Sequence, residues 1–274
     1  AVPRRRTCSV PSSIPIVDLA PWFTGGEAGR QRVAAAFDRA YRDVGFVQVV
    51  GHGVANDIVQ GAFDAMSAFF GLAEAQKKQC VPASAEIYRG YSARLSESFS
   101  YSLSIETPPD LVEAFVMGAD DVGRDPTTNP FATNVWPTEP AWFRDRLWTY
   151  YSAARSLSFE LCRIAAVALG VDPQFFDSAL QESNTTLRCN WYHRRSEEVE
   201  LLDEQMALGA HTDYGILTVL AADPGPGLQL LDKSGAWVDV EPEPGAFIIN
   251  AGDALAVWTN DAWRSTIQIG RAHV

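Results

Sequence analysis

From Leu217 onward the chain is punctuated in a way that leaves few folds open. Short apolar runs, LTVLAA, LQLL, WVDV, AFIIN and ALAVW, alternate with the turn-formers DPGPG, DKSG, EPEPG, AGD and TND. Runs of this length read as strands, and a turn signal about every ten residues closes them into a sandwich, barrel or jelly roll. At the head of the series, residues 209 to 220 read GAHTDYGILTVL. A strand sends residues i and i+2 to one face, so His211 and Asp213 share an interior while Thr212 faces away. Imidazole plus carboxylate, completed by a distant second histidine, makes the facial triad that holds non-haem Fe(II) and leaves coordination positions open. A histidine simply hydrogen-bonded to a neighbouring aspartate is the plainer alternative, and the strand series around the pair is what favours the metal.

The strings HTDYGILTVL, GLQLL, GAWVDVEPEPGAFIINAGD and WTNDAWRST closely resemble the 2-oxoglutarate- and Fe(II)-dependent oxygenases, in the branch similar to isopenicillin N synthase. DVGFVQVVGHGV, beginning at Asp43, carries the same resemblance near the N-terminus. The resemblance implies an α+β fold: a double-stranded β-helix, or jelly roll, holding iron in its interior, with N-terminal and bracing α-helices. It divides the chain into an N-terminal region at 14–130 and an iron- and 2-oxoglutarate-binding region at 184–274. The two pack as one unit with a helix at about 141–169.

Composition narrows the partners. With Lys+Arg 22 against Asp+Glu 34 the net charge is −12, which repels phosphate backbones and anionic lipid, so nucleic acid and membrane surfaces are disfavoured. No stretch approaches the ~20 apolar residues of a membrane span. Arg4 to Arg6 resemble the start of a twin-arginine signal, but TCSVPSSIPIVDL supplies no continuous apolar region after them, so the run reads as a solvated tail. Cys8, Cys80, Cys162 and Cys189 lack metal or redox spacing, which suits a reducing cytoplasm. A soluble monomer acting on a small molecule is the expectation.

Along the chain, IPIVDL at 14–19 is a short strand closed by Pro21, Gly25 and Gly26. Helical spacing follows over Ala28–Val44, then a β-rich run at Phe46–Val50 and a second helix from Asn56 to Leu72. His52, between two turn glycines, is assigned to structure rather than to a metal. Tyr88, Tyr91, Phe99 and Tyr101 are either pocket lining or plain core, with core the commoner fate of such aromatics. The apolar stripe from Ala141 to Leu169 predicts the longest helix, bracing the barrel.

LRCNWYH at 187–193 puts Arg188, Asn190 and Tyr192 on one strand face. The family has a similar R-x-N-x-Y string, whose tyrosine hydroxyl helps hold the distal carboxylate of 2-oxoglutarate. The resemblance therefore assigns Tyr192 and Asn190 to the cosubstrate. His193 stands where the family more often has proline and receives no role. The implied reaction uses Fe(II) as a template on which 2-oxoglutarate and O2 meet, giving succinate, carbon dioxide and an oxidised C–H bond. The protein contributes geometry and a dry cavity.

The chain departs from the family at the third iron ligand. After WTN…ST the family places x-H-R-V, and here Gln268 occupies the histidine's position. His273 lies five residues on, an odd offset that turns it away from the cavity in a regular strand. The family's R-x-S clamp for 2-oxoglutarate is missing, and Arg264 with Thr266 imitates it too early in the chain. The final IGRAHV matches one reading frame of a common sequencing-library adapter, whose first two bases would complete a glutamine codon from a histidine codon's first base. A gene fragment truncated at that point is therefore expected, in keeping with the missing initiator Met. Three functions follow: an oxygenase acting on a small molecule, inactive as written because the third iron ligand and the R-x-S clamp are missing; an oxidase that dispenses with 2-oxoglutarate, as isopenicillin N synthase does; and a non-catalytic jelly-roll binding module.

Overall fold

A computed structural model of the chain describes residues 14–84, 86–119, 133–181, 183–193, 205–225 and 227–270. His273 and the IGRAHV tail beyond Gly270 lie outside the described residues. β1 (Ile16–Asp18) is followed by α1 (Ala20–Thr24), α2 (Gly26–Asp43), β2 (Phe46–Val50), α3 (Asn56–Phe70) and α4 (Glu74–Lys77). Then come β3 (Gly90–Ser92), β4 (Glu113–Gly118), the long α5 (Phe143–Ala168), α6 (Asp177–Gln181) and β5 (Thr186–Trp191). The last third holds β6 (Leu208–His211), β7 (Leu217–Leu220), β8 (Leu228–Leu231), β9 (Trp237–Asp239), β10 (Phe247–Ala251), α7 (Asp253–Trp258) and β11 (Gln268–Gly270).

Two four-stranded sheets, in the orders β1-β2-β10-β7 and β6-β11-β8-β9, form the double-stranded β-helix. Period-two alternation gives each face of the first sheet its own core. Val47, Val49, Phe247 and Ile249 face the helices and join Phe37, Tyr41, Phe69, Leu147 and Leu161 in the larger cluster. Phe46 and Ile248 face the barrel and pack with Leu230 and Val240 of the opposing sheet. A third sheet, β3-β4-β5, adjoins the barrel, with β4 wholly buried between its neighbours.

α5 packs against α2 and α3, as its apolar stripe predicts, and Tyr150 on it meets Phe247 of β10 edge-on at 6.4 Å. α2 buries Val33, Ala34, Phe37, Ala40 and Tyr41 at helical spacing and stops before Gly45. Gly45 takes φ of +80°, and a Cβ there would stand 2.4 Å from the Arg264 carbonyl, so only glycine fits the close approach. Phe69 meets Phe70, Tyr91 and Phe115 edge-on and Phe143 at a tilt, at centroid distances of 5.0 to 5.9 Å, and truncating a ring such as Phe115 would cost about 3–5 kcal/mol.

Three expectations are corrected. The run ALAVW is helix α7, not a strand: its first turn docks on the loop after β6, with Asp253 N–H donating to the Asp213 carbonyl at 2.7 Å. Pro21 opens α1 instead of closing β1, because a proline in the first turn sacrifices no helical hydrogen bond. The four aromatics also part company. Tyr91 is core, Tyr101 is 80% exposed, and Tyr88 and Phe99 approach the site described next.

Candidate metal centre

His211 is the last residue of β6 and is buried. Its Nδ1 lies 2.8 Å from the Gly209 carbonyl oxygen. A carbonyl only accepts, so Nδ1 carries the proton and Nε2 presents its lone pair. That lone pair faces Asp213 Oδ1 at 3.5 Å. Two acceptors aimed at each other need a cation or a proton between them. Metal bonds of ~2.1 Å at a right angle would set such atoms ~3.0 Å apart, so the pair lies close to the spacing of two ligands on one small ion.

Asp213 is delivered by the loop after β6, not by the strand itself. The convergence survives because the loop is pinned. Thr212 turns the other way and donates to Asp253 Oδ2 at 3.0 Å, and Gly252 N–H donates to the Ile216 carbonyl at 2.9 Å. A Cβ on Gly252 would stand 2.1 Å from the Gly215 carbonyl oxygen, which explains the glycine of the AGD turn. Asp213 Oδ2 accepts a short hydrogen bond from the Thr218 hydroxyl and another from Asn250 Nδ2 at 2.8 Å. Thr218 and Asn250 stand opposite each other in the β7–β10 ladder. With Oδ2 occupied twice, Oδ1 is the oxygen left toward His211.

Gln268 pairs directly with His211 across β6 and β11. It is buried, and its amide nitrogen donates to Asp213 Oδ1 at 3.0 Å. As oriented it offers a proton to the carboxylate, not a lone pair to a metal. Among the described residues no group of three or more His, Cys, Asp and Glu converges. The donor set is thus one imidazole nitrogen and one carboxylate oxygen. Both suit Fe(II), and together they leave the third protein position to an amide.

Arg188 and Asn190 share a face of β5, with Tyr192 one residue past the strand's end, while Leu187, Cys189 and Trp191 join the helical core on the other. The Tyr192 hydroxyl lies 3.3 Å from where a Cβ on Gly270 would stand. Gly270 and Gln268 are two apart on β11, so the hydroxyl and the Gln268 side chain lie on one face. Burial pushes the phenol up to about 12, moderated by the nearby Arg188 charge and a hydrogen bond with Asn190. The residue as a whole is 42% exposed, so the burial belongs to the hydroxyl end and the exposure to the rest.

The motifs alone did not assign Arg188, Phe99, Thr218 or Asn250 to the site. Arg188 donates to Asn190 Oδ1 at 2.8 Å, Glu97 Oε2 at 2.9 Å and the Tyr88 hydroxyl at 3.2 Å, and its guanidinium lies 4.9 Å over the Phe99 ring. Phe99 in turn meets the His211 ring edge-on at 5.0 Å. Asn250 could have been suspected from AFIIN, where an amide interrupts a strand at an inward position. Asp110, 1% exposed, accepts the Phe99 N–H at 2.8 Å, and burial raises its carboxyl despite that bond. His52 is structural: Val54 N–H donates to its Nδ1, and its Nε2 meets the Gly245 carbonyl at 2.9 Å. A cavity of about 540 Å³ lined by Trp22, Arg30, Glu160 and Arg163 holds none of the metal-site residues.

Comparison with known proteins bears on this arrangement. Residues 14–139 match the model of the non-haem dioxygenase in morphine synthesis N-terminal family, and residues 183–268 that of the 2OG-Fe(II) oxygenase superfamily. The 2-oxoglutarate-Fe(II) type oxidoreductase hxnY of Emericella nidulans is 30% identical over 270 residues, spanning 94% of this chain and 74% of that protein. The chain belongs to the 2-oxoglutarate–Fe(II) oxygenases. A 2-oxoglutarate-dependent dioxygenase of Didymella fabae is 32% identical to the oxygenase over 92% of this chain and 78% of its own. The crystal structure of Neurospora crassa T7H with alpha-KG superposes on the oxygenase with a TM-score of 0.84 at 28% identity, covering 98% of this chain and 82% of that one. Fe(II) and 2-oxoglutarate are the family's cofactor and cosubstrate.

Proposed function

We propose that the oxygenase holds Fe(II) between His211 Nε2 and Asp213 Oδ1, and holds 2-oxoglutarate beside Tyr192 and Asn190. Its reaction is hydroxylation, desaturation or ring formation on a small molecule. The observation that carries this reading is the convergence of His211 Nε2 and Asp213 Oδ1 at 3.5 Å. Bound Fe(II) supplies the redox chemistry that consumes O2 and 2-oxoglutarate and yields succinate, carbon dioxide and oxidised substrate. The chain's own residues do the rest. The Gly209 carbonyl fixes the His211 tautomer, Thr218 and Asn250 hold the Asp213 carboxylate, and the Tyr192 hydroxyl and Asn190 amide hydrogen-bond the cosubstrate.

The same reading makes the chain as written a weak metal binder with little turnover, since Gln268 stands in the third ligand position. That residue also favours a second reading, a jelly-roll module that binds its small molecule without chemistry. The free, buried Cys80, Cys162 and Cys189 fit a reducing cytoplasm, and the net charge of −12 fits a single chain without nucleic-acid partners. An anaerobic Fe(II) titration with 2-oxoglutarate, followed by the visible metal-to-ligand charge-transfer band, tests the reading. A strong band in Gln268→His, with a weak one in the present chain, supports the oxygenase assignment. No band in either supports the binding module.

A further inference from the structure

On the far side of the β3-β4-β5 sheet from the metal centre lies a second polar cluster, which the reaction does not use. Glu113, the first residue of β4, is 4% exposed. Its Oε2 accepts Lys77 Nζ at 2.6 Å and the Tyr91 hydroxyl at 2.9 Å, and its Oε1 meets His193 Nε2 at 2.6 Å. Lys77, on α4, is itself 6% exposed and lies 5.5 Å over the Tyr91 ring. Four elements therefore meet on one carboxylate: α4, β3, β4 and the end of β5. A buried ion pair is weak evidence of stabilisation, because desolvating both charges offsets most of their attraction. Such a cluster is better explained by the geometry it imposes.

What it constrains is the end of β5. Glu113 is in register with Trp191, and Trp191 stacks on Phe70 of α3 at 5.4 Å with an interplanar angle of 16°. His193, two residues on, is tied to Glu113. Tyr192, between them, points to the opposite face, where its hydroxyl reaches β11 beside Gly270. Both neighbours of the tyrosine are thus held from behind while its own side chain reaches forward. We infer that Lys77, Glu113 and His193 form a clamp that positions the Tyr192 hydroxyl for the cosubstrate, with His193 as the positioning residue. His193 thereby gains a role that its neighbours in the chain do not reveal. The clamp's effect on 2-oxoglutarate rests on the proposed cosubstrate role of Tyr192. Its effect on the tyrosine does not.

The test reads Tyr192 directly in the full chain labelled with 3-fluorotyrosine. The chain has eight tyrosines, and Tyr192→Phe identifies the 19F line that belongs to Tyr192. The clamp is removed by His193→Ala and, without touching β5, by the double change Lys77→Met with Glu113→Leu, because replacing a buried pair with apolar groups keeps such sites folded. Circular dichroism checks that fold. The clamp requires the Tyr192 line to shift and broaden in both variants, to return in His193→Gln, whose amide can still donate to Glu113, and to stay put in the surface control Lys78→Met. An unmoved line in the folded double variant overturns the proposal. Adding 2-oxoglutarate with Zn(II) then separates the two readings. With the third ligand supplied by Gln268→His, a line that ignores the cosubstrate means that the assignment of Tyr192 fails while the clamp stands on the first comparison. If it responds, His193→Ala should weaken 2-oxoglutarate binding about tenfold with Tyr192 present and not further in the Tyr192→Phe background. An equal loss in both backgrounds would make His193 merely structural.

Discussion

Gln268 donates its side-chain amide to Asp213 Oδ1 at 3.0 Å while standing directly opposite His211 in the β6–β11 ladder. The amide therefore competes with any metal for the oxygen that faces the imidazole. Replacing it with an apolar side chain of similar size removes a competitor but adds no ligand. Gln268→Leu should change Fe(II) affinity by less than about tenfold, the scale of one hydrogen bond, whereas Gln268→His should raise it far more. Anaerobic calorimetry on the two variants separates these outcomes.

Thr218 and Asn250 grip the other oxygen of the same carboxylate from neighbouring strands. Partners that orient a ligand typically contribute ten- to a hundredfold in metal affinity. Thr218→Val and Asn250→Ala should each weaken binding of Mn(II), used as an air-stable probe, by about that factor with the barrel intact. Paramagnetic broadening of water relaxation measures it, and undiminished binding in either variant would show that Asp213 is held by other contacts.

Much of this was readable from spacing alone. α2, α3 and α5 announce themselves because a 3.6-residue period repeated over several turns has no strand equivalent. ALAVW does not, since five apolar residues fit either period, and what makes them a helix is the docking of Asp253 on the Asp213 carbonyl. The pairing of His211 with Asp213 was legible as a motif, yet the loop position of Asp213 was not. Glu113 with Lys77 and Arg188 with Glu97 meet across 36 and 91 residues of sequence, distances at which a charged residue gives no local sign of its partner.

Glu113 also sets an expectation for acid. Burial would raise its carboxyl, but hydrogen bonds from Lys77, Tyr91 and His193 outweigh it and hold the group below the usual carboxylate value. A folded-state pKa below the unfolded one means that the unfolded chain binds the extra proton first. The contribution is then fully present above the unfolded pKa of about 4.3 and is lost as pH falls through the lower folded value. Urea unfolding below that pH should show a shallower loss of stability in Lys77→Met with Glu113→Leu than in the wild type.

Gly209 is fixed by crowding. A Cβ there would stand 2.4 Å from the Ser100 hydroxyl oxygen and 2.9 Å from the Ser100 nitrogen. Gly209→Ala should destabilise the fold by about 1–3 kcal/mol, the range for overpacking, and Ser100→Gly should relieve part of the loss. A double-mutant cycle in urea measures the coupling, and strict additivity would show that the strain is taken up elsewhere.

β10 lies at the boundary of two environments. Phe247, Ile249 and Ala251 belong to the helical core, while Ile248 plugs the barrel and Asn250 holds the Asp213 carboxylate. Selection must therefore treat these five residues as two interleaved messages, odd positions judged by folding and even positions by what the barrel holds. Substitutions would be sorted by parity, but an inherited one-residue deletion has no parity. It would exchange the two messages at once, so the lineage of this strand should tolerate changes of letter and never a change of length.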